Sequence, residues 1–176
     1  MQHFDLFNTE ELLALAALDL EKESLCDGLE KLKYLVKKEV VSDELDSMLG
    51  SVYAKLQLFQ YAVEHYSALL QRDPSRLHER FQLGMVYREI NEFDKAVESW
   101  DQVLKVEENY PPVLFHKALL LLTVDDEAEC KTLLKQLIAT ADKDNYYVER
   151  ARGVLDELDI TDNLVTPISR KLDEVH

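Results

Sequence analysis

A chain of 176 residues, 47% of them apolar and 31% charged, is long enough to bury a sizeable core and too apolar to be disordered. Four glycines and four prolines leave little material for the turns of an all-β fold, whereas abundant Leu, Ala, Glu and Lys favour helices. With 35 acidic against 20 basic residues and a net charge of −15, the surface repels phosphate backbones and anionic headgroups, which disfavours nucleic acid and membranes as partners.

In chain order, apolar spacing predicts helices at about 9–22 and 25–38, 43–56 and 59–71, 77–90 and 93–105, and 111–123 and 126–140. Pro74 closes the fourth helix, and Pro111-Pro112 open the seventh, where a missing N–H costs nothing. A ninth helix at about 145–158 keeps Val148, Ala151, Val154, Leu155 and Leu158 at helical spacing. Asp159 to Thr166 reads as a turn-rich link, and Thr166-Pro167 opens a short final helix with Ile168, Leu172 and Val175 on one face. The domain expectation is a stack over 1–158, followed by a link and short helix over 159–176.

Two cysteines, Cys26 and Cys130, form neither a disulfide framework nor a CxxC motif. The acidic first twenty residues lack the basic start of a secretory signal. Both features suit a cytoplasmic protein. Cys130 falls at a small, buried helix position, where a thiol serves as a compact hydrophobe. Asp125, Asp126 and Glu127 fall at a helix start, where acids complement the dipole. The five histidines make no HExxH spacing, and phosphate-binding glycine loops and nucleophile elbows are absent. The chain is therefore read as a non-enzyme, with no catalytic residue, no metal site and no cofactor.

A 34-residue repeat runs through these helices. Leu49-Gly50 and Tyr53 return as Leu83-Gly84 and Tyr87, Ala62 returns as Ala96, and Tyr66 as Trp100. This pattern resembles the tetratricopeptide repeat family. Frames fall at about 9–42, 43–76, 77–110 and 111–144, the middle two strong and the outer two degenerate. The resemblance implies a right-handed superhelix of about four helix pairs, with 145–158 as its capping helix. It also implies that small residues at Gly50, Gly84, Ala62 and Ala96 let backbones approach, while large ones fill the space between helices.

In this family the first helices line a concave face. Carrying its positions over gives a groove of Met48, Ser51, His78, Phe81, Gln82, Met85, Arg88, Phe115, His116, Leu119, Tyr146 and Arg150. Methionines and aromatics in one trough suit an apolar or amphipathic client segment. Ser47, Ser51, Gln82, Pro112 and His116 stand where carboxylate-clamp members carry Lys, Asn and Arg, which disfavours docking of chaperone tails. The implied function is a protein or peptide-binding scaffold: an adaptor, co-chaperone or assembly factor. More weakly, the chain resembles the small acidic tetratricopeptide chaperones of type III secretion. The alternatives are a structural protein that self-associates as a homo-oligomer, through its ends or through Phe4, Leu6 and Phe7, and a regulatory subunit of an enzyme complex.

Overall fold

The computed structural model describes residues 3–169, and among these the chain is all-α. A single 3-10 turn at His3–Leu6 precedes nine helices: α1 (Thr9–Glu21), α2 (Leu25–Lys37), α3 (Asp43–Lys55), α4 (Phe59–Arg72), α5 (Leu77–Glu89), α6 (Phe93–Val106), α7 (Pro111–Thr123), α8 (Glu127–Thr140) and α9 (Tyr146–Ser169). No strand occurs among the described residues. The first eight helices lie within one residue of the predicted bounds.

Local chemistry explains the starts. Asn8 and Glu11 form a reciprocal capping box, each side chain accepting from the other's backbone N–H at 2.9 Å. Ser42 Oγ accepts from the Leu45 N–H, and Asp126 caps α8 by accepting from the Glu129 N–H, both at 3.2 Å. Pro111 stands at the first position of α7, as its missing donor allows.

The turn inside each pair carries the repeat more uniformly than any side-chain motif. Glu23, Gln57, Asn91 and Asp125, spaced at 34-residue intervals, all have φ near +60°. In each case the next N–H closes back onto the helix just ended: Ser24 to Asp19, Leu58 to Tyr53, Glu92 to Tyr87 and Asp126 to Leu121, at 2.8–3.0 Å. This left-handed termination ordinarily takes glycine or asparagine, and only Asn91 obeys that preference. Glu23 and Gln57 hold a conformation that costs an L-residue about 1–2 kcal/mol. Replacing either with glycine is expected to raise stability by about 0.5 kcal/mol after the entropy glycine adds to the unfolded chain. Asn91→Gly should be close to neutral. Urea midpoints of the three variants check the order.

By compactness the chain divides into one unit up to Gln102 and a second from Val103. The first unit holds two core clusters. One gathers Leu12, Ala16, Leu32, Leu35, Leu45, Leu49 and Val52 from α1 to α3, and the other Ala62, Tyr66, Leu69, Leu70, Leu83 and Val86 from α4 and α5. Glycines in this unit allow close approaches to aromatic rings. A Cβ on Gly50 would lie 2.7 Å from the Tyr66 ring, and one on Gly84 would lie 2.3 Å from Trp100 Nε1. Trp100 is fully buried and donates its Nε1–H to the Phe81 carbonyl at 3.2 Å.

The degenerate first repeat replaces aromatic packing with an ion pair. Tyr53 stacks on His65 at 5.6 Å; 34 residues earlier, Asp19 and Lys31 pair at 2.6 Å, both partly buried. Asp46 anchors the α3–α4 pair, meeting His65 Nδ1 at 2.7 Å and Arg72 Nη2 at 2.5 Å. Burial raises the Asp46 pKa, but hydrogen bonds from His65 and Arg72 outweigh it and hold the carboxyl below its ordinary range. A depressed carboxyl stabilises the fold above its unfolded pKa of about 3.9, and that stability is lost as pH falls through the lower folded value. Stability should therefore fall more steeply below about pH 4 in the wild type than in Asp46→Asn. Denaturant titrations across that range measure the difference.

The second unit has one described core cluster, Leu114, Phe115, Ala118, Cys130, Leu133, Leu134, Leu137 and Ala151, drawn from α7, α8 and α9. Cys130 is fully buried there, and burial pushes its thiol pKa up. The expectation of a link after 158 is corrected: α9 continues unbroken to Ser169. Asp159 to Thr166 contains neither glycine nor proline, and its polar residues cost a helix only a few tenths of a kcal/mol each. The expected final helix with Leu172 and Val175 extends outside the described residues.

Candidate functional site

The sequence-derived groove residues fall into two groups, one in each unit. In the first unit, α3 and α5 present a depression of about 380 Å³ lined by Leu20, Ser47, Met48, Ser51, Ala54, Lys55, Tyr66, His78 and Gln82. Met48, Ser51, His78 and Gln82 thus come together as the repeat spacing implies. Leu20 and Tyr66 reach the depression from α1 and α4. Tyr66 carries the repeat's large-residue signal, but that signal identifies a spacer between helices and is silent on which cavity its hydroxyl borders.

Polar groups at this depression are already organised. Ser47 Oγ donates to Glu79 Oε1 at 3.0 Å, and Arg76 Nη2 lies 3.3 Å from the same oxygen. Glu79 is buried and partnered. The Tyr66 pKa is pushed up by burial, then by the Glu79 carboxylate, with a hydrogen bond to Ser51 opposing both. Tyr66 therefore stays neutral throughout the physiological range. The charged groups among the lining residues are Lys55 and, when protonated, His78; both are exposed. Hydroxyls, an amide and a thioether around a cavity of this size can hydrogen-bond an extended backbone and receive a side chain.

Phe81 is corrected as a groove residue. It is 5% exposed, and its carbonyl serves Trp100, so its ring belongs to the core. Met85 and Arg88 are half-buried on the same helix, and Arg88 pairs with its neighbour Glu89 at 2.6 Å. Neither lines the depression.

In the second unit, Phe115, His116, Tyr146 and Arg150 are brought together with Tyr147. Phe115 lies 5.4 Å from His116 and 5.5 Å from Tyr147 between ring centroids, and Tyr146 lies 5.3 Å from Tyr147. The Arg150 guanidinium sits 5.2 Å from the Phe115 centroid and 5.3 Å from that of Tyr146, donating to the Tyr146 hydroxyl. Phe115 is 1% exposed and is the second correction. Arg150 covers a ring that the sequence placed at the surface. Leu119 is half-buried against the core cluster, which leaves exposed Tyr146 and Arg150 and half-buried His116 and Tyr147 as the accessible part.

No group of three metal-ligating side chains occurs among the described residues, and no described helix is long and apolar enough to cross a membrane.

Residues 80–110 match the model of the tetratricopeptide repeat. No curated protein sequence matches the chain. Among solved structures, the fold is similar to that of MamA, at 22% identity over 75% of this chain and 77% of that one, with a TM-score of 0.70. A further structure, described as MamA MSR-1, covers 84% of this chain and 80% of that one at 22% identity, with a TM-score of 0.68. YrrB, described as a TPR protein with an unusual peptide-binding site, is similar at 16% identity over 78% of this chain and 71% of that one, with a TM-score of 0.70.

Proposed function

We propose that this chain, whose residues 80–110 match the tetratricopeptide repeat and whose fold is similar to that of MamA, is a non-catalytic scaffold that holds a segment of a client protein against its first helices. The fold suggests a protein–protein interaction scaffold, and tetratricopeptide repeats are generally non-catalytic interaction modules. The observation that carries the finer reading is the depression between α3 and α5. Met48, Ser51, His78 and Gln82 line it together, and its mixture of hydroxyl, amide and thioether groups suits an amphipathic peptide more than a purely apolar one. YrrB supports the reading so far as it is described as binding peptide. In the second unit, Tyr146, Arg150 and His116 offer a separate aromatic and cationic contact patch. Phe115 supports the second patch from beneath Arg150. An adaptor or chaperone role in the cytoplasm is the setting in which such a scaffold would act.

The client comes from affinity capture in the native source, followed by binding measurements with purified partner. Joint replacement of Met48 and Gln82 by alanine should weaken that binding about tenfold or more, while Lys95→Ala on α6 should leave it unchanged. Melting curves must show that both variants stay folded. A client insensitive to the first pair and lost with Lys95 overturns the assignment.

Self-association is the second reading, favoured by Leu6 and Phe7, which are 75% and 36% exposed. Light scattering across a range of concentrations separates it from a monomeric scaffold.

A further inference from the structure

The chain is acidic overall, yet residues 31–38 hold four lysines and no acid. This local reversal lies on α2, a second helix, away from the residues that line the α3–α5 depression. Two of the four lysines are neutralised within the fold: Lys31 by Asp19 at 2.6 Å, and Lys38 by Asp5 at 3.1 Å. Lys33 and Lys37 are exposed and make no ion pair among the described residues. Both line a groove of about 520 Å³, larger than the α3–α5 depression.

Its other walls are Phe4, Cys26, Leu29, Glu30 and Tyr34. The α2 members, at positions 26, 29, 30, 33, 34 and 37, form one continuous helical stripe. Phe4, Leu29 and Tyr34 are half-buried, whereas Cys26, Glu30, Lys33 and Lys37 are exposed. The groove therefore has an apolar floor beneath a rim that carries two lysines and one glutamate. Its shape is also held in advance. Phe4 meets Tyr34 edge-on at 5.5 Å, Lys31 lies 5.6 Å from the Phe4 centroid and Lys38 5.2 Å from that of Tyr34, and the Tyr34 hydroxyl donates to Asp5. A prearranged apolar floor lowers the ordering cost of binding.

We propose that this α2 groove is a second docking site, which takes an acidic segment of a partner protein with an aromatic or aliphatic anchor. The anchor seats on Phe4, Leu29 and Tyr34, and its flanking carboxylates meet Lys33 and Lys37. Charge complementarity selects this occupant, since a basic segment would find only Glu30 and two opposing lysines. The site is independent of the scaffold reading above.

Cys26 supplies a direct readout, because it lies on the groove wall and is exposed while Cys130 is buried. The probe is a short capped peptide with glutamates and aspartates flanking a phenylalanine and a leucine, added to the full chain. It should slow alkylation of Cys26 by iodoacetamide and shift amide resonances of residues 26–37 in two-dimensional NMR. The double variant Lys33→Glu/Lys37→Glu, with its fold checked by circular dichroism, should bind about tenfold more weakly. Lys33→Arg/Lys37→Arg should retain binding, raised salt should weaken it, and joint replacement of Met48 and Gln82 by alanine should leave it unaltered. The proposal fails if the peptide shifts resonances of α3 and α5 instead, if a peptide with lysines for its acids binds equally well, or if charge reversal has no effect. It also fails if the groove is occupied by a second copy, seen as a dimer that the double variant dissociates.

Discussion

Replacing Trp100 with alanine is expected to destabilise the protein by about 3–5 kcal/mol, the range for deleting a large aromatic from a packed core. The ring is fully buried, faces Gly84 at a separation that excludes even a methyl group, and bonds the Phe81 carbonyl. Loss of the indole leaves a cavity and removes its hydrogen bond to the Phe81 carbonyl. Gly84→Ala acts on the same contact from the other side. A rigid, buried ring cannot turn aside as a flexible side chain can, so that variant should cost about 1–3 kcal/mol through overpacking. The two losses are not additive: with Trp100 already truncated, Gly84→Ala should cost little. A double-mutant cycle by urea denaturation checks this. Full additivity would show that the glycine is small for another reason.

A chain ending at Asp144 should lose stability on a similar scale, about 3–5 kcal/mol, and should bind hydrophobic dyes and aggregate. Val148 and Ala151 are almost completely buried, and Tyr147, Val154, Leu155 and Leu158 pack on the cluster formed by α7 and α8. Removing α9 therefore uncovers apolar surface on α7 and α8. A chain ending at Asp159 keeps all of these contacts. It loses residues 160–176 and should remain folded with nearly the wild-type melting temperature. Equal behaviour of the two truncations would refute the covering role of α9.

How much of this was legible without coordinates depended on which property of a residue mattered. Periodicity located the first eight helices to within a residue, because glycine, alanine and aromatic positions repeat wherever one helix pair must pack on the next. The degenerate first frame also spans a helix pair, α1 and α2, with the Asp19–Lys31 ion pair where Tyr53 and His65 stack 34 residues later. The link expected after 158 was misread because the polar residues from Asp159 to Thr166, with no glycine or proline among them, do not stop a helix. The left-handed turns at Glu23, Gln57 and Asp125 were invisible for the opposite reason: backbone geometry recurs there without the residue types that ordinarily announce it.

The candidate site was legible only in part. Family positions name the face of a helix but not the depth of each side chain. Met48, Ser51, His78 and Gln82 came together at one depression, whereas Phe81 lies buried with its carbonyl bound to Trp100, and Phe115 lies under Arg150. Depth depends on residues far along the chain, and no local pattern records it. The lysine-rich stretch on α2 shows the converse. Its composition was in plain view, but only the pairing of Lys31 and Lys38 separates the neutralised lysines from Lys33 and Lys37.

The chain contains a single tryptophan, sealed from water and bonded to a peptide carbonyl inside the unit that ends at Gln102. Its ultraviolet emission is therefore a built-in lamp for that unit alone, blue-shifted while the indole is dry and moving to the red once water reaches it. Helical ellipticity, by contrast, sums over both units. Heating the protein while recording both signals would show one superimposed transition if the chain melts cooperatively, and two displaced ones if its parts melt separately.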